Sequence, residues 1–233
     1  MTTASAAGPR TSRAGRAVRT LGRDLGYLVP GTVLAIVAFA VLLALFVTGV
    51  ATFVVWIGAV ILPLCLVVAT GFAQISRARL RVWGADVTTP RYREHRGGLG
   101  GWFRLLADPR RWLDLLYEGL LAFPLRLFTG LVAIIWPVTA LGGLTYWFWG
   151  LFLPEDDAMT GVEWLLLQLP DGWVSQSFAE SFAADAILTG LAGLVFLLTT
   201  PWVVRLMALM DAGATTVALA APPATTATGG QQR

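Results

Sequence analysis

Residues 25–76 run for 52 positions without a single Asp, Glu, Lys, Arg or His. A bilayer's hydrocarbon core of ~30 Å is crossed by about 20 helical residues. As one straight helix the run would reach ~78 Å at 1.5 Å per residue, more than twice that thickness, so it must fold back and cross twice. Two further uncharged stretches, residues 127–154 and 186–204, each supply one more crossing. Composition agrees: 56% of the 233 residues are hydrophobic and 13% are charged, against about 25% charged in soluble domains. The expected fold class is an all-α membrane protein with four transmembrane helices, at about 28–48, 52–75, 125–151 and 186–209. The first turn is expected near residues 48–52, where Gly49 and two threonines interrupt the Leu/Val/Ala pattern.

All 17 basic residues are arginine. Arg10, Arg13, Arg16, Arg19 and Arg23 precede the first span, and ten more lie between Arg77 and Arg126. The segment between spans 3 and 4 has none and carries seven acids. Cytoplasmic loops are enriched in Lys and Arg, which predicts a multi-pass protein of the cell (plasma) membrane with both termini inside (N-in/C-in). The uncharged run far exceeds a signal-peptide core and has no small-residue cleavage site, so a cleaved signal peptide is not expected. Residues 1–20 and 213–233 are rich in Ala, Thr, Gly and Pro and read as disordered tails around one domain at 21–212.

Asp24-Leu25-Gly26-Tyr27 leads to Pro30 and span 1, and ninety residues later Asp114-Leu115-Leu116-Tyr117 leads to Pro124 and span 3. The four spans thus read as two similar parallel-repeat hairpins. Between the hairpins, Asp108-Pro109 has the chemistry of a helix start, an N-cap acid followed by a first-turn proline. Trp112, Leu115, Leu116, Gly119, Leu120 and Phe123 then recur at helical spacing, with Arg110, Arg111, Asp114 and Glu118 mostly opposite. That pattern predicts a cytoplasmic interfacial amphipathic helix, and makes Arg104, Arg110, Arg111, Trp112 and Arg126 a candidate surface for anionic lipid or for signal output. Arg126 is expected to snorkel to the headgroups.

Enzyme motifs are missing. The lone His95 has no second His or Cys beside it, the glycines at 97, 98, 100 and 101 lack a following Lys-Ser/Thr, and no hydrolase or dinucleotide fingerprint occurs. No catalytic, cofactor-binding or metal site is expected, and no cofactor. Cys65 falls mid-span and reads as a packing residue rather than half of a disulfide. The spans themselves are nearly free of ionisable groups, with Arg126 and Arg205 only at their edges, which argues against an ion or proton transporter. Gly130, Gly142, Gly143, Gly190 and Gly193 permit close helix contacts, either within one chain or across a homodimer.

The outer segment, about 152–185, is expected to form a short outer helical loop. Trp147, Trp149, Trp164 and Trp173 accompany Glu155, Asp156 and Asp157 there, giving either an amphipathic lid on the outer leaflet or a recognition surface for a cationic amphiphile.

The order of Asp24-Leu25-Gly26-Tyr27 with Pro30, a two-span hairpin, the Arg77-Ala78-Arg79-Leu80-Arg81 exit and the stretch from Asp108-Pro109-Arg110-Arg111-Trp112 to Tyr117 and Pro124 resembles the sensor domain of actinobacterial membrane proteins. The resemblance covers roughly residues 20–212. In that family the four-span domain commonly precedes a histidine kinase of a two-component system. No dimerisation helix, phospho-accepting His or ATP-binding domain follows Arg205 here, so the resemblance implies a stand-alone sensor domain or the membrane part of a longer protein. The function expected is a non-enzymatic signal-input module passing an envelope or bilayer stimulus to a cytoplasmic kinase or regulator. Membrane lipids are further partners, and nucleic acid is not. The alternative is a transport-associated membrane subunit or small-solute carrier, which the parallel repeat and the helix-kinking Pro63, Pro137 and Pro201 inside spans 2, 3 and 4 allow.

Overall fold

The computed structural model describes residues 13–85, 99–152 and 181–219. These form α1 (Arg13–Ala51), α2 (Gly58–Trp83), α3 (Leu99–Leu106), α4 (Pro109–Leu116), α5 (Ala122–Leu144), α6 (Tyr146–Trp149) and α7 (Phe182–Leu219). A π-helical turn, Tyr117–Leu121, joins α4 to α5, and short 3₁₀ turns lie at Phe53–Val55 and Gly150–Phe152. There are no strands among the described residues. Four helical stretches, Gly15–Ala51, Gly58–Trp83, Pro109–Leu144 and Phe182–Leu219, are long and apolar enough to cross a membrane. The chain is thus an all-α, multi-pass membrane protein, as its uncharged runs require.

Packing follows the logic of a helix bundle in lipid. Along α1 a stripe of buried positions, Asp24, Leu28, Gly31, Ala35, Ala38 and Leu42, recurs at three- and four-residue steps and returns at Gly49 seven residues on, with Tyr27 and Thr32 buried beside it. Small residues dominate that stripe, while Val33, Ile36, Val37, Leu43 and Val47 face outward. Lipid tails are as apolar as leucine, so close backbone approach rather than hydrophobic burial holds such helices together. Cys65 behaves as a packing group: it is buried with Leu42, Leu66, Ala69 and Leu115, and its Sγ lies 3.7 Å from the Leu42 carbonyl.

The first reversal falls later than the sequence predicts. Thr48 and Thr52 stay in register with the helix because the Thr52 hydroxyl donates to the Thr48 carbonyl at 2.7 Å, a back-bond that threonine makes readily within helices. The chain turns instead over residues 52–58, with Trp56 in the left-handed region at φ 64. Gly58 closes it. A Cβ there would lie 2.0 Å from the Gly49 carbonyl oxygen and 2.6 Å from the Phe53 backbone, so only glycine fits.

The helix bounds differ from the expected spans: α1 and α7 outrun theirs at both ends, α2 starts and ends later, and α5 stops at Leu144, short of 151. α2 continues to Trp83 and stops in a Schellman motif, with Gly84 at φ 109 donating to the Arg81 carbonyl at 3.0 Å and Ala85 donating to Leu80 at 3.1 Å. α1 begins at Arg13 and α7 ends at Leu219. The composition-based tails at 13–20 and 213–219 are corrected accordingly: both are helical. In the second case the reason is a set of polar contacts, given below.

The described residues fall into two compact units. One comprises residues up to Leu25 with Leu131–Met207, the other Gly26–Gly130 with residues from Ala208 onward. In the first, Gly143 and Gly193 meet backbone to backbone: a Cβ on Gly143 would come within 2.8 Å of the Gly193 Cα. Trp136 Nε1 donates to Thr199 Oγ1 at 3.0 Å beside them. In the second unit, α3 and α4 pack on α2.

Candidate functional site

The second unit contains a cluster of charged side chains with almost no exposure to solvent. Glu118, Arg126 and Asp211 are 0%, 2% and 1% exposed. Arg126 Nη1 donates to Glu118 Oε2 at 3.0 Å, and its Nε donates to Asp211 Oδ1 at 3.3 Å. A second pair, Arg77 Nη2 to Asp114 Oδ1 at 2.8 Å, is buried as deeply. Arg79 lies over the Tyr27 ring, 4.8 Å from its centroid, and donates to the Tyr27 carbonyl. Gly31 makes room for it, since a Cβ there would sit 2.0 Å from Arg79 Nη2.

The π turn explains how Glu118 reaches Arg126. In a regular helix, eight residues advance ~800°, which leaves the later side chain ~80° around the axis from the earlier one. A π turn accommodates one extra residue, and here Ala122 N–H closes back on the Tyr117 carbonyl five residues earlier. The effective spacing falls to seven, ~700°, so the two side chains lie within ~20° of one face. The same turn buries Tyr117, whose hydroxyl shares a hydrogen bond of 2.7 Å with Thr215 Oγ1. The Arg126 guanidinium also stands 5.8 Å from the Tyr117 ring centroid.

Next comes the end of α7. The Leu219 carbonyl, at the buried end of the helix, accepts from Arg77 Nε at 3.1 Å and from Arg110 Nη2 at 2.7 Å. Terminal carbonyls lack intrahelical donors, and arginine is well suited to satisfy them. Residues 211, 215 and 219 thus lie on one stripe, each tied to α2, α4, the π turn or α5.

The candidate residues are distributed as follows. Asp108 caps α4 as expected, its Oδ1 accepting from Arg110 N at 3.1 Å. Arg104 is exposed. Arg110 reaches Leu219, Arg111 reaches Asp108 at 3.6 Å and Thr70 at 3.4 Å, and Trp112 Nε1 donates to the Leu106 carbonyl at 2.9 Å. Arg126 does not snorkel, because two carboxylates inside the protein neutralise it. The acids of α4 and the π turn do not lie on a water-facing side as expected: Asp114 and Glu118 point inward together with Leu115, while Leu113, Leu116 and Leu120 are exposed. α4 is not a separate element, since it continues through the π turn into α5.

Trp147 and Trp149 are exposed. Beside them the Tyr146 hydroxyl donates to Asp185 Oδ2 at 3.0 Å, and burial together with that carboxylate raises its pKa. Glu155, Asp156, Asp157, Trp164, Trp173, His95 and the helical loop expected over about 152–185 lie outside the described residues, apart from the latter's ends.

Asp24 and Arg205 pair at 3.1 Å within the first unit. This contact joins the acid that precedes the first uncharged run to the arginine that follows the last one. The Asp114–Arg77 pair joins the acid preceding span 3 to the arginine following span 2. Glu118 and Asp211 were the functional-looking residues hardest to find in the sequence. The available signal was Asp211 with Thr215 four residues on, continuing a helical face beyond the last apolar run.

Among the described residues no group of three or more His, Cys, Asp or Glu could hold a metal ion. What the cluster can do is mechanical. It couples the ends of several helices through bonds that are costly to break singly.

Neither the curated proteins nor the solved structures contain a match to this sequence. A protein-family comparison does match residues 27–219, a stretch that takes in the four spans and the whole charged cluster, and the chain belongs to the family it describes as "Putative sensor".

Proposed function

We propose that this chain is a non-enzymatic signal-input module of the cell membrane, with both termini in the cytoplasm, that passes an envelope or bilayer stimulus to a cytoplasmic kinase or regulator. Family membership supports a sensor-type membrane module. The observation that carries the reading further is the placement of the buried network of Arg77, Asp114, Glu118, Arg126 and Asp211. It lies where the arginine-bearing helix ends extend past the uncharged runs. Positive-inside bias puts those ends on the cytoplasmic side.

Transmission requires two packing states that differ in affinity for the stimulus. A network of paired buried charges favours such behaviour, because a partly broken one leaves an uncompensated charge behind. Exposed Leu113, Leu116 and Leu120 contact lipid in this reading, and Arg104 faces the headgroups or a partner.

The test is photocrosslinking in native membranes with a benzophenone amino acid at Arg104, Leu113 or Leu116. Capture of a kinase or regulator from Arg104, with lipid adducts from the leucines, is the expected result. Lipid adducts from all three positions would count against a protein partner.

A further inference from the structure

The final 15 residues of α7, from Arg205 to Leu219, form helix well beyond the last apolar run. As far as Met210 the sequence is rich in strong helix formers, but beyond it Gly213, Thr215, Thr216 and Val217 are weak ones, so helix propensity drops over the last seven residues. Propensity therefore does not explain why the helix persists to Leu219.

Three polar links at four-residue steps do explain it. Asp211 is held by Arg126, Thr215 by the Tyr117 hydroxyl, and the Leu219 carbonyl by Arg77 and Arg110. Between them the outward side is unconstrained, with Val217 87% exposed. Two of the three partners depend on the π turn: Tyr117 belongs to it, and Arg126 is balanced by Glu118 across it. Such turns occur frequently at functional sites, and order–disorder of a segment is an established form of switch.

We propose that residues 211–219 are an output latch, helical while the three links hold and released when they part, with the π turn as the keeper that aligns them. Stimulus-driven repacking at the turn would misalign Glu118 and Tyr117 together, loosening the first two links at once. The end of α7 at Leu219 then changes its attachment to α2 and α4. The proposal rests on the signalling reading for its purpose, but not for its existence.

Cys65 is the only cysteine, so Cys65→Ala gives a clean background for site-directed spin labelling of the full chain in nanodiscs. A label at Val217→Cys reports the latch, and a label at Leu191→Cys, an exposed position earlier on α7, reports the rest of that helix. Asp211→Asn and Thr215→Val each remove one link. The mobile fraction of the 217 label should rise roughly tenfold for each link removed, with the 191 label unchanged. Tyr117→Phe, which deletes only the hydroxyl, should reproduce Thr215→Val, and the two together should add nothing further.

An immobile label at 217 in the Asp211→Asn, Thr215→Val double variant would overturn the latch. So would equal loosening at 191, which would make the segment an ordinary part of the core. Release at 217 with crosslinking to a partner unaffected would sink the signalling reading and leave the latch standing.

Discussion

Arg126→Leu should be the most damaging single substitution in this protein, and the reason lies in what it leaves behind. Arg126 is the hydrogen-bonded cation of both Glu118 and Asp211, and all three are shielded from solvent. Leucine, shorter and uncharged, would strand the two carboxylates that the guanidinium now bridges. Breaking a buried pair by removing one partner costs about 3–5 kcal/mol, and two stranded acids put this case at the upper end. For a domain of this size ~1 kcal/mol shifts the melting temperature by about 2–4 °C, so the expected loss is about 6–20 °C. Thermal unfolding in nanodiscs, followed by tryptophan emission, measures it. The decisive comparison is the triple variant Glu118→Leu, Arg126→Leu, Asp211→Leu. Replacing a whole buried ionic group by apolar side chains is often neutral or stabilising, so the triple variant should recover most of the loss. Equal melting temperatures for the single and triple variants would refute the idea that stranded charge sets the cost.

The π turn predicts an asymmetry: deleting Leu120 should be tolerated, since a plain α-helix with one residue fewer keeps Glu118 and Arg126 on one face, whereas inserting Ala after Leu121 should leave them ~80° apart and cost as much as losing their ion pair, read as melting temperature. Asp114→Asn should destabilise more than Asp24→Asn, because Arg77 is buried while Arg205 is 36% exposed and solvent screens the latter; the ranking by urea or thermal midpoint checks it. Gly143→Leu should be worse than Gly142→Leu, since an added Cβ meets the Gly193 backbone at the first position and nothing within 4 Å at the second; monodispersity in detergent after mild heating separates them.

The number of spans is legible in the sequence because the absence of charge over 52 residues admits few folds. Helix ends were harder to read, and for a physical reason. Hydropathy marks where lipid begins, but α2 and α7 end where backbone groups find caps, at Gly84 and at the arginines on Leu219. The polar face of α4 misled for a related reason. Beside a membrane, charged residues on an amphipathic helix are expected to face water, yet Asp114 and Glu118 face inward because Arg77 and Arg126 lie there to meet them. Those partners are 37 and 8 residues away in sequence, the nearer brought into register only by a π turn that no periodicity signals. The N-cap at Asp108-Pro109, a purely local device, was fully legible.

The charge balance of the cluster bears on the choice between a signal module and a carrier. Arg77 is paired with Asp114, and Arg126 with both Glu118 and Asp211, while Arg79 donates to the Tyr27 carbonyl. A carrier path needs sites that are left unpaired when its cargo departs, and intramembrane charges of that kind usually line a route across the bilayer. Here the charges gather beyond the ends of the uncharged runs, and the stretches between, residues 127–154 and 186–204, hold none. Mutual neutralisation also makes intermediate states expensive: opening Arg126–Asp211 alone leaves Glu118 to balance the guanidinium but exposes a buried carboxylate. Links that are cheap only when all are closed or all are open give an element with two populated arrangements rather than a continuum. That is the property a signal-input domain needs at its exit, and a solute pathway has no use for it.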